Sequence, residues 1–364
     1  MGIIDRYIIK KYLGTFVFMM VLLSVIVIMI DVLSKSPKIE ENGFSIGHFL
    51  IYYYPFWMVY LIMTFMAILV FISVIYFTSR LANNTEIVAI ISSGASFHRF
   101  ARPYLLTSLF IAIFSFGINH FLLPWANVQK NKLEPYLMND QQKEKIQGNT
   151  EIATKLSAKQ YVFIHNYNRK ENRGSGFLLQ EFDDKRKLVH QIIANEIYWD
   201  NAKHKFQLTN YLERWATPKD SERLANGDMR EISFGHTPEE LFPNELSAQT
   251  KTTPELIKFL NQEKIKGNSN MNAYLNELHQ RTSMPVAVVI LAMLALSLSS
   301  QKKRGGLGAN LAIGIGLAML FVFSFEAMKV VSNNKTLSPM LAMWLPNLVF
   351  APVALYLYFK RANQ

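Results

Sequence analysis

Six long apolar runs constrain this chain more than any other feature of its sequence. They hold few charged side chains and occupy residues 12–33, 54–77, 103–125, 284–300, 309–331 and 339–359. A helix of about twenty apolar residues matches the thickness of the hydrocarbon core of a bilayer. The sequence therefore predicts a polytopic α-helical membrane protein, with three spans, one long polar segment and three further spans.

The distribution of charge predicts the orientation of these spans. The chain has a formal net charge of +11, and the four segments placed in the cytoplasm by this topology hold eleven bases and two acids, which is +9 of that total. Lysine and arginine are enriched in cytoplasmic loops, so this excess indicates membrane topology and predicts no nucleic-acid partner. Both termini are predicted to be cytoplasmic, and the polar segment is predicted to lie outside.

The polar segment, residues 126–280, is long enough for a folded domain between spans 1–3 (residues 1–125) and spans 4–6 (residues 281–364). Its β-branched and aromatic stretches predict strands at 160–164, 177–182, 188–199, 206–215 and 230–234. Turn residues at 183–185 and 200–202 separate them. This regular spacing favours an antiparallel sandwich or jelly roll with flanking helices. The chain has no cysteine, so this domain depends on its own core.

A short amphipathic helix is predicted at residues 84–94, between the second and third spans. Asn84 or Thr85 can cap its start, Glu86 suits the positive end of the helix dipole, and Gly94 can leave the helix through a positive φ. Its apolar face is made of Ile87, Val88, Ile90 and Ile91. Lying on the cytoplasmic surface, this face is either a docking site for a soluble protein or an ordinary interfacial helix.

The sequence predicts no catalytic or metal site. It contains no phosphate-binding loop of the G-x-x-x-x-G-K-[ST] type, and its Gly305-Gly306-Leu307-Gly308 stretch is better explained as a turn between two spans. The eight histidines do not pair at metal-ligand spacing. Ser157 and Lys159 could form a serine–lysine dyad, but serine beside lysine is common in strands. We therefore expect no cofactor in this chain.

Four charged residues near the outer membrane surface are candidates for lipid binding. Glu326 and Lys329 share one face of the fifth span, where they can pair with each other, or the lysine can simply extend to the headgroups. Lys35 and Lys38 follow the first span, where they can attract an anionic headgroup or lie in a solvated loop.

Several motifs resemble those of one membrane-protein family. They are the leader Asp5-Arg6-Tyr7-Ile8, the segment 84–94, the run 277–281 with Pro285, the pair Ser338-Pro339 and the run Trp344-Leu345-Pro346-Asn347. In order and layout the chain resembles the LptF/LptG (YjgP/YjgQ) permeases of the lipopolysaccharide-export ABC transporter. The Asp-Arg-Tyr leader is most similar to that of LptG-like subunits.

The resemblance implies an assembly in the bacterial inner membrane. A homologous permease would pair with this chain above a cytoplasmic LptB-like ATPase dimer, which binds ATP and Mg²⁺, and LptC/LptA-like proteins would form a periplasmic bridge. The complex would extract lipopolysaccharide from the outer leaflet, admitting it between the first span of one permease and the fifth of the other. The outer domain would be a periplasmic β-jelly roll.

The resemblance also implies roles for individual residues. The short helix would be the coupling helix, with Glu86 important at the ATPase contact and with Ile87, Ile90, Ile91 and Gly94 around it. A basic residue near the outer end of the first helix, Lys35 or Lys38 here, would hold lipid phosphate.

Other functions remain open at this stage. A mechanotransmission protein would use ATPase motion to act on a periplasmic partner without moving a lipid. A secondary transporter would need ionisable residues near the middle of the bilayer, where these spans have almost none. An enzymatic outer domain is the weakest alternative, because the sequence lacks catalytic motifs.

Overall fold

The structure is a computed structural model that describes residues 2–138, 150–216, 222–266, 271–301 and 306–363. It divides into two compact units. The first, which we call the helical unit, comprises Met1–Tyr136, Gln249–Thr253 and Leu275–Gln364. The second, the sheet unit, comprises Leu137–Ala248 and Pro254–Tyr274, and its sequence is therefore inserted into that of the first.

Eleven α-helices lie in the described part of the chain. They are α1 (Ile3–Glu41), α2 (Ile46–Tyr52), α3 (Tyr54–Asn83), α4 (Glu86–Ser92), α5 (Phe97–Gly117), α6 (Leu123–Leu133), α7 (Pro238–Leu241), α8 (Thr253–Lys266), α9 (Met271–Ser299), α10 (Gly306–Asn333) and α11 (Pro339–Ala362). A π-helical turn, Ile118–Leu122, joins α5 to α6, and 3₁₀ turns occupy Glu134–Leu137 and Glu245–Ala248.

Six helical segments of the described chain are long and apolar enough to cross a membrane. They are Ile3–Glu41, Tyr54–Asn83, Phe97–Leu137, Met271–Ser299, Leu311–Asn333 and Pro339–Ala362. Three precede the sheet and three follow it, so the predicted arrangement of six spans around one inserted domain is confirmed. The basic cluster at 302–304, used to orient the fourth span, lies outside the described residues.

The first helix is longer than the sequence predicts. We expected the span to end at residue 33, with Lys35 and Lys38 outside it and a short loop at Glu40 and Glu41, but α1 continues to Glu41 and includes Pro37. The prediction followed hydropathy, which falls after Leu33, whereas the following lysine and glutamate residues are good helix formers. As a result, Asp31 and Lys35 lie one turn apart on the same helix and form an ion pair of 2.9 Å.

The sheet unit contains one six-stranded antiparallel sheet among the described residues. Its strands are β1 (Thr150–Lys155), β2 (Gln160–Asn168), β3 (Arg173–Phe182), β4 (Leu188–Asp200), β5 (Lys205–Ala216) and β6 (Glu222–Ile232). Each strand pairs with the next along the chain, from β1 to β6. The predicted antiparallel β-domain is thus confirmed, and its strands follow one another as a meander rather than by the Greek-key connections of a jelly roll in the strict sense.

One face of the sheet carries the core of this unit. Its fully buried side chains include Val162, Ile164, Phe177, Phe206 and Leu208, and Leu241 and Phe242 pack against them.

The predicted turns have the expected chemistry: the Asp183 carboxylate accepts hydrogen bonds from the backbone of Lys185 and Lys187.

The helical unit has a separate core, made largely of side chains from α1, α3, α5 and α9. One buried tyrosine finds a hydrogen-bond partner inside it: the hydroxyls of Tyr12 and Ser108 lie 3.0 Å apart. This core supports α4, the short helix between the second and third spans.

Candidate functional site

The short helix α4 begins and ends at residues with left-handed backbone. Gly94 has φ of +92°, which confirms its predicted role in ending the helix. The predicted cap at the start is wrong, because Thr85 lies at the capping position with φ of +62° and its side chain does not accept a hydrogen bond from the helix. Its hydroxyl instead donates to the Asn84 carbonyl at 2.6 Å.

The apolar face of α4 is turned mainly towards the helical unit itself. Ile87 is 1% exposed and belongs to the core, and Ile90 and Ile91 are half-buried against the same core. Val88 is 59% exposed. The surface open to another molecule therefore includes the exposed Val88 and Ala89, the half-buried Glu86 and the exposed end at 92–94, while Ile87 holds the helix in place.

The Glu86 carboxylate has a neighbour on each of its two oxygens. The Tyr7 hydroxyl donates to Oε2 at 3.0 Å, and the Asn84 side-chain amide donates to Oε1 at 3.2 Å. Tyr7 lies in the first two turns of α1, 79 positions earlier in the sequence. The start of the first span is thus attached directly to the first residue of α4.

A second contact joins α1 to the segment that follows α4. Asp5 is buried, and its Oδ2 receives the Arg99 guanidinium at 2.9 Å and the backbone N–H of Gly2 at 2.9 Å. Arg99 lies in the first turn of α5. We call the four residues Asp5, Tyr7, Glu86 and Arg99 the brace, because they connect α1 to the start of α4 and to the start of α5.

The brace joins the leader motif at residues 5–8 to the motif at residues 84–94, which lie far apart in the sequence. A family model described as lipopolysaccharide export system permease LptF/LptG matches residues 6–360. The chain belongs to the LptF/LptG family. A search of curated proteins found no match. An LptF/LptG chain is a membrane-embedded permease subunit of a lipopolysaccharide export system. One model describes both subunit types, so the assignment to the G-type stays a prediction.

Lys35, one of the predicted lipid-binding residues, is already engaged within this LptF/LptG chain. Besides its ion pair with Asp31, its ammonium lies 5.7 Å from the centre of the Trp57 ring. The Tyr54 hydroxyl donates to the other oxygen of Asp31 at 2.9 Å. Because Asp31 offsets the charge of Lys35, Lys35 attracts an anion less strongly than a solvated lysine would. Lys38 lies one turn further along α1 and is half-buried.

Glu326 and Lys329 lie on the other candidate helix, α10. Among the described residues they form no ion pair with each other, so the possible pairing is not observed. Glu326 is exposed, whereas Lys329 is half-buried and lines a polar cavity in the helical unit. The four lipid-binding candidates therefore divide into one pair on α1 and one on α10.

The family motif at 277–281 forms a buried polar cluster. Arg281 is 2% exposed and donates to Glu277 at 3.0 Å and to the Thr253 hydroxyl at 3.1 Å. The same hydroxyl lies 2.6 Å from Nδ1 of His120, which sits in the π-helical turn of the third span. The sequence pattern did not predict that Thr253, the first residue of α8, meets both side chains.

The Ser157–Lys159 pair, which the sequence disfavoured as a catalytic dyad, has its lysine bound to another side chain. The Lys159 ammonium lies 2.9 Å from the Asp184 carboxylate, and this hydrogen bond raises the pKa of Lys159. A lysine held in its protonated form cannot act as a general base. Among the described residues, no group of three or more His, Asp or Glu side chains could hold a metal ion.

Proposed function

We propose that this chain is one of the two permeases of an ATP-driven transporter that extracts lipopolysaccharide from the outer leaflet of the bacterial inner membrane. Its partners would be a homologous permease, a cytoplasmic LptB-like ATPase dimer and LptC/LptA-like proteins of a periplasmic bridge. ATP and Mg²⁺ would bind to the ATPase, and this chain would hold no cofactor. The observation that carries the proposal beyond family membership is the attachment of α4 to α1 through Glu86 and Tyr7.

The contacts of α4 support its role as the coupling helix. The exposed Val88 and the half-buried Glu86 side chain offer a small apolar and acidic surface to a soluble partner. Ile87 anchors the helix in the core. When the ATPase subunits close, they would displace α4. Because Tyr7 bonds to Glu86 at the start of α4 and Asp5 bonds to Arg99 in the first turn of α5, that displacement would move the start of α1.

The burial of the spans supports lateral admission of lipid beside α1 and α10. The apolar window of α1 is 11% buried and that of α10 is 22% buried, whereas the other four spans are between 33% and 61% buried. These are the first and fifth spans, so the two helices least covered by this chain are those expected to border the lipid path. Their exposed side chains would contact acyl chains or the second permease.

Substitutions at Glu86 test the coupling step, because the charge and the hydrogen bond can be separated. Glu86→Gln keeps an acceptor for Tyr7 but removes the charge, and we expect it to reduce co-purification of the ATPase several-fold. Glu86→Ala removes both and should also abolish lipopolysaccharide release from membrane vesicles. The control is Glu40→Ala, which changes an exposed acid on the last turn of α1. Normal ATPase association and lipid release in both Glu86 variants would contradict the proposal.

Mass spectrometry of the purified transporter separates this function from mechanotransmission. We expect lipopolysaccharide to co-purify with the complex and to crosslink to photoreactive residues placed on the exposed faces of α1 and α10. A complex that hydrolyses ATP and acts on a periplasmic partner, yet carries no lipid at these faces, would be a mechanotransmission system.

A further inference from the structure

The helical unit contains a polar cavity that the proposed transport function does not use. Its volume is about 40 Å³, and it is lined by side chains of α3, the π-helical turn, α6, α9 and α10. Glu277, Gln280 and Arg281 of the family motif line it, and Lys329 faces them from α10. All of these residues belong to the same compact unit.

Two residues that line this cavity each carry a buried oxygen atom with no hydrogen-bond partner in the described part of the chain. The two atoms are Oδ1 of Asn127 and Oε1 of Gln280. Asn127 is 2% exposed, and its orientation is set by its amide N–H group, which donates to the Gln249 carbonyl at 3.0 Å. Leaving a buried acceptor unsatisfied is unfavourable, because the group has lost its hydrogen bonds to water. Both oxygens therefore require a hydrogen-bond donor that the described residues do not supply.

The charges around the cavity decide which donor can occupy it. Glu277 and Arg281 form an ion pair of 3.0 Å, so Lys329 leaves an excess positive charge in the lining. That charge disfavours a metal cation. An anion would match Lys329, but it would face the two unsatisfied acceptor oxygens and be repelled by them. Water meets both requirements, because it accepts from the Lys329 ammonium and donates to the amide oxygens.

We propose that this cavity is a water-binding site that joins α3, α6, α9 and α10. A buried water needs about 10–15 Å³ of cavity volume. This cavity of about 40 Å³ therefore holds about three water molecules. They complete the hydrogen bonds of Asn127 and Gln280 and solvate the Lys329 ammonium. Gln249 also lines the cavity, so the waters contact the segment Gln249–Thr253 by which the chain returns from the sheet unit.

Hydroxyl-radical footprinting tests the site, since brief X-ray irradiation converts bound water into radicals that oxidise adjacent methionines. Met63 lines the cavity and is 6% exposed, whereas Met66 on the same helix is 5% exposed and does not line it. With the full chain in lipid nanodiscs, we expect Met63 to be oxidised several-fold faster than Met66. Equal rates would overturn the proposal.

A filling variant and a competing ion provide the remaining tests. Thr64 lines the cavity, and Thr64→Leu should occupy part of its volume and reduce Met63 oxidation to the rate of Met66. Unchanged Met63 oxidation in a folded Thr64→Leu protein would mean that the radicals arise elsewhere, and would also overturn the site. Inorganic phosphate should have no effect, and a fall in Met63 oxidation on its addition would show that the cavity binds an anion instead.

Discussion

The Glu86 carboxylate carries one charge and offers two acceptor oxygens to its own chain. The family motif predicted a role for this residue, but the sequence did not predict Tyr7 as its neighbour. Helical periodicity relates residues three or four positions apart, whereas Glu86 bonds to a hydroxyl 79 positions away. The brace depends on the packing of α1 beside α3 and α5, which no local pattern encodes.

Tyr7→Phe is the residue-scale test of the brace. It removes the hydroxyl that donates to Glu86 but keeps the ring and the Glu86 charge. We expect ATPase association to remain normal while lipopolysaccharide released per ATP hydrolysed falls several-fold, because α1 no longer follows α4. Stability should fall by about 1 kcal/mol or less, since the bond is exposed.

The matched control for Tyr7→Phe is Tyr356→Phe, which changes a tyrosine that is 65% exposed on the last helix. It should leave both association and transport unchanged. If Tyr7→Phe transports as much lipid per ATP as the wild type, then α4 must act on the membrane helices through its core contacts at Ile87 instead.

At the scale of elements, hydropathy predicted the spans well and their ends poorly. Each span has a long apolar run, and that run is the physical requirement for crossing the bilayer. The strands β2 to β5 were predicted because their inward side chains are β-branched or aromatic. β1 was missed, and β6 starts eight residues before its predicted start, because its first half contains Asn226, Gly227 and Asp228, which are typical of turns.

Close packing between α3 and α10 depends on a glycine that composition alone would not identify. A Cβ at Gly314 would overlap the Cδ1 of Ile75, a core residue that is 1% exposed. Two positions later on α10, a Cβ at Gly316 would meet nothing within 4 Å. Small residues allow membrane helices to approach closely, so Gly314 marks an interface and Gly316 marks a free face.

Gly314→Val should therefore destabilise the helical unit by about 1–3 kcal/mol relative to Gly316→Val. Both substitutions introduce the same β-branched side chain into the same helix, so their intrinsic helix propensities cancel in the comparison. Thermal unfolding of the two purified variants in the same detergent measures the difference. Equal unfolding temperatures would mean that Ile75 can rotate away without cost.

For the whole molecule, the predicted orientation of the spans rests on the distribution of charge rather than on any contact. The segments predicted to be cytoplasmic carry +9 of the net +11 charge, and this bias is the physical basis for placing α4 beside an ATPase. Hydropathy falls near residue 126, but the sheet unit begins only at Leu137, because α6 continues the helical unit past that point. The polar cavity could not be predicted, because its lining comes from five separated parts of the chain.

The absence of cysteine makes the orientation directly testable. Val88→Cys places a thiol on the exposed side of α4, and Asn201→Cys places one in the exposed turn between β4 and β5. A membrane-impermeant maleimide should label Asn201→Cys in intact spheroplasts, whereas Val88→Cys should react only after the membrane is opened. The wild-type chain, which has no thiol, should stay unlabelled in both conditions. Reaction of Val88→Cys in intact spheroplasts would place α4 on the periplasmic side, where no ATPase could reach it.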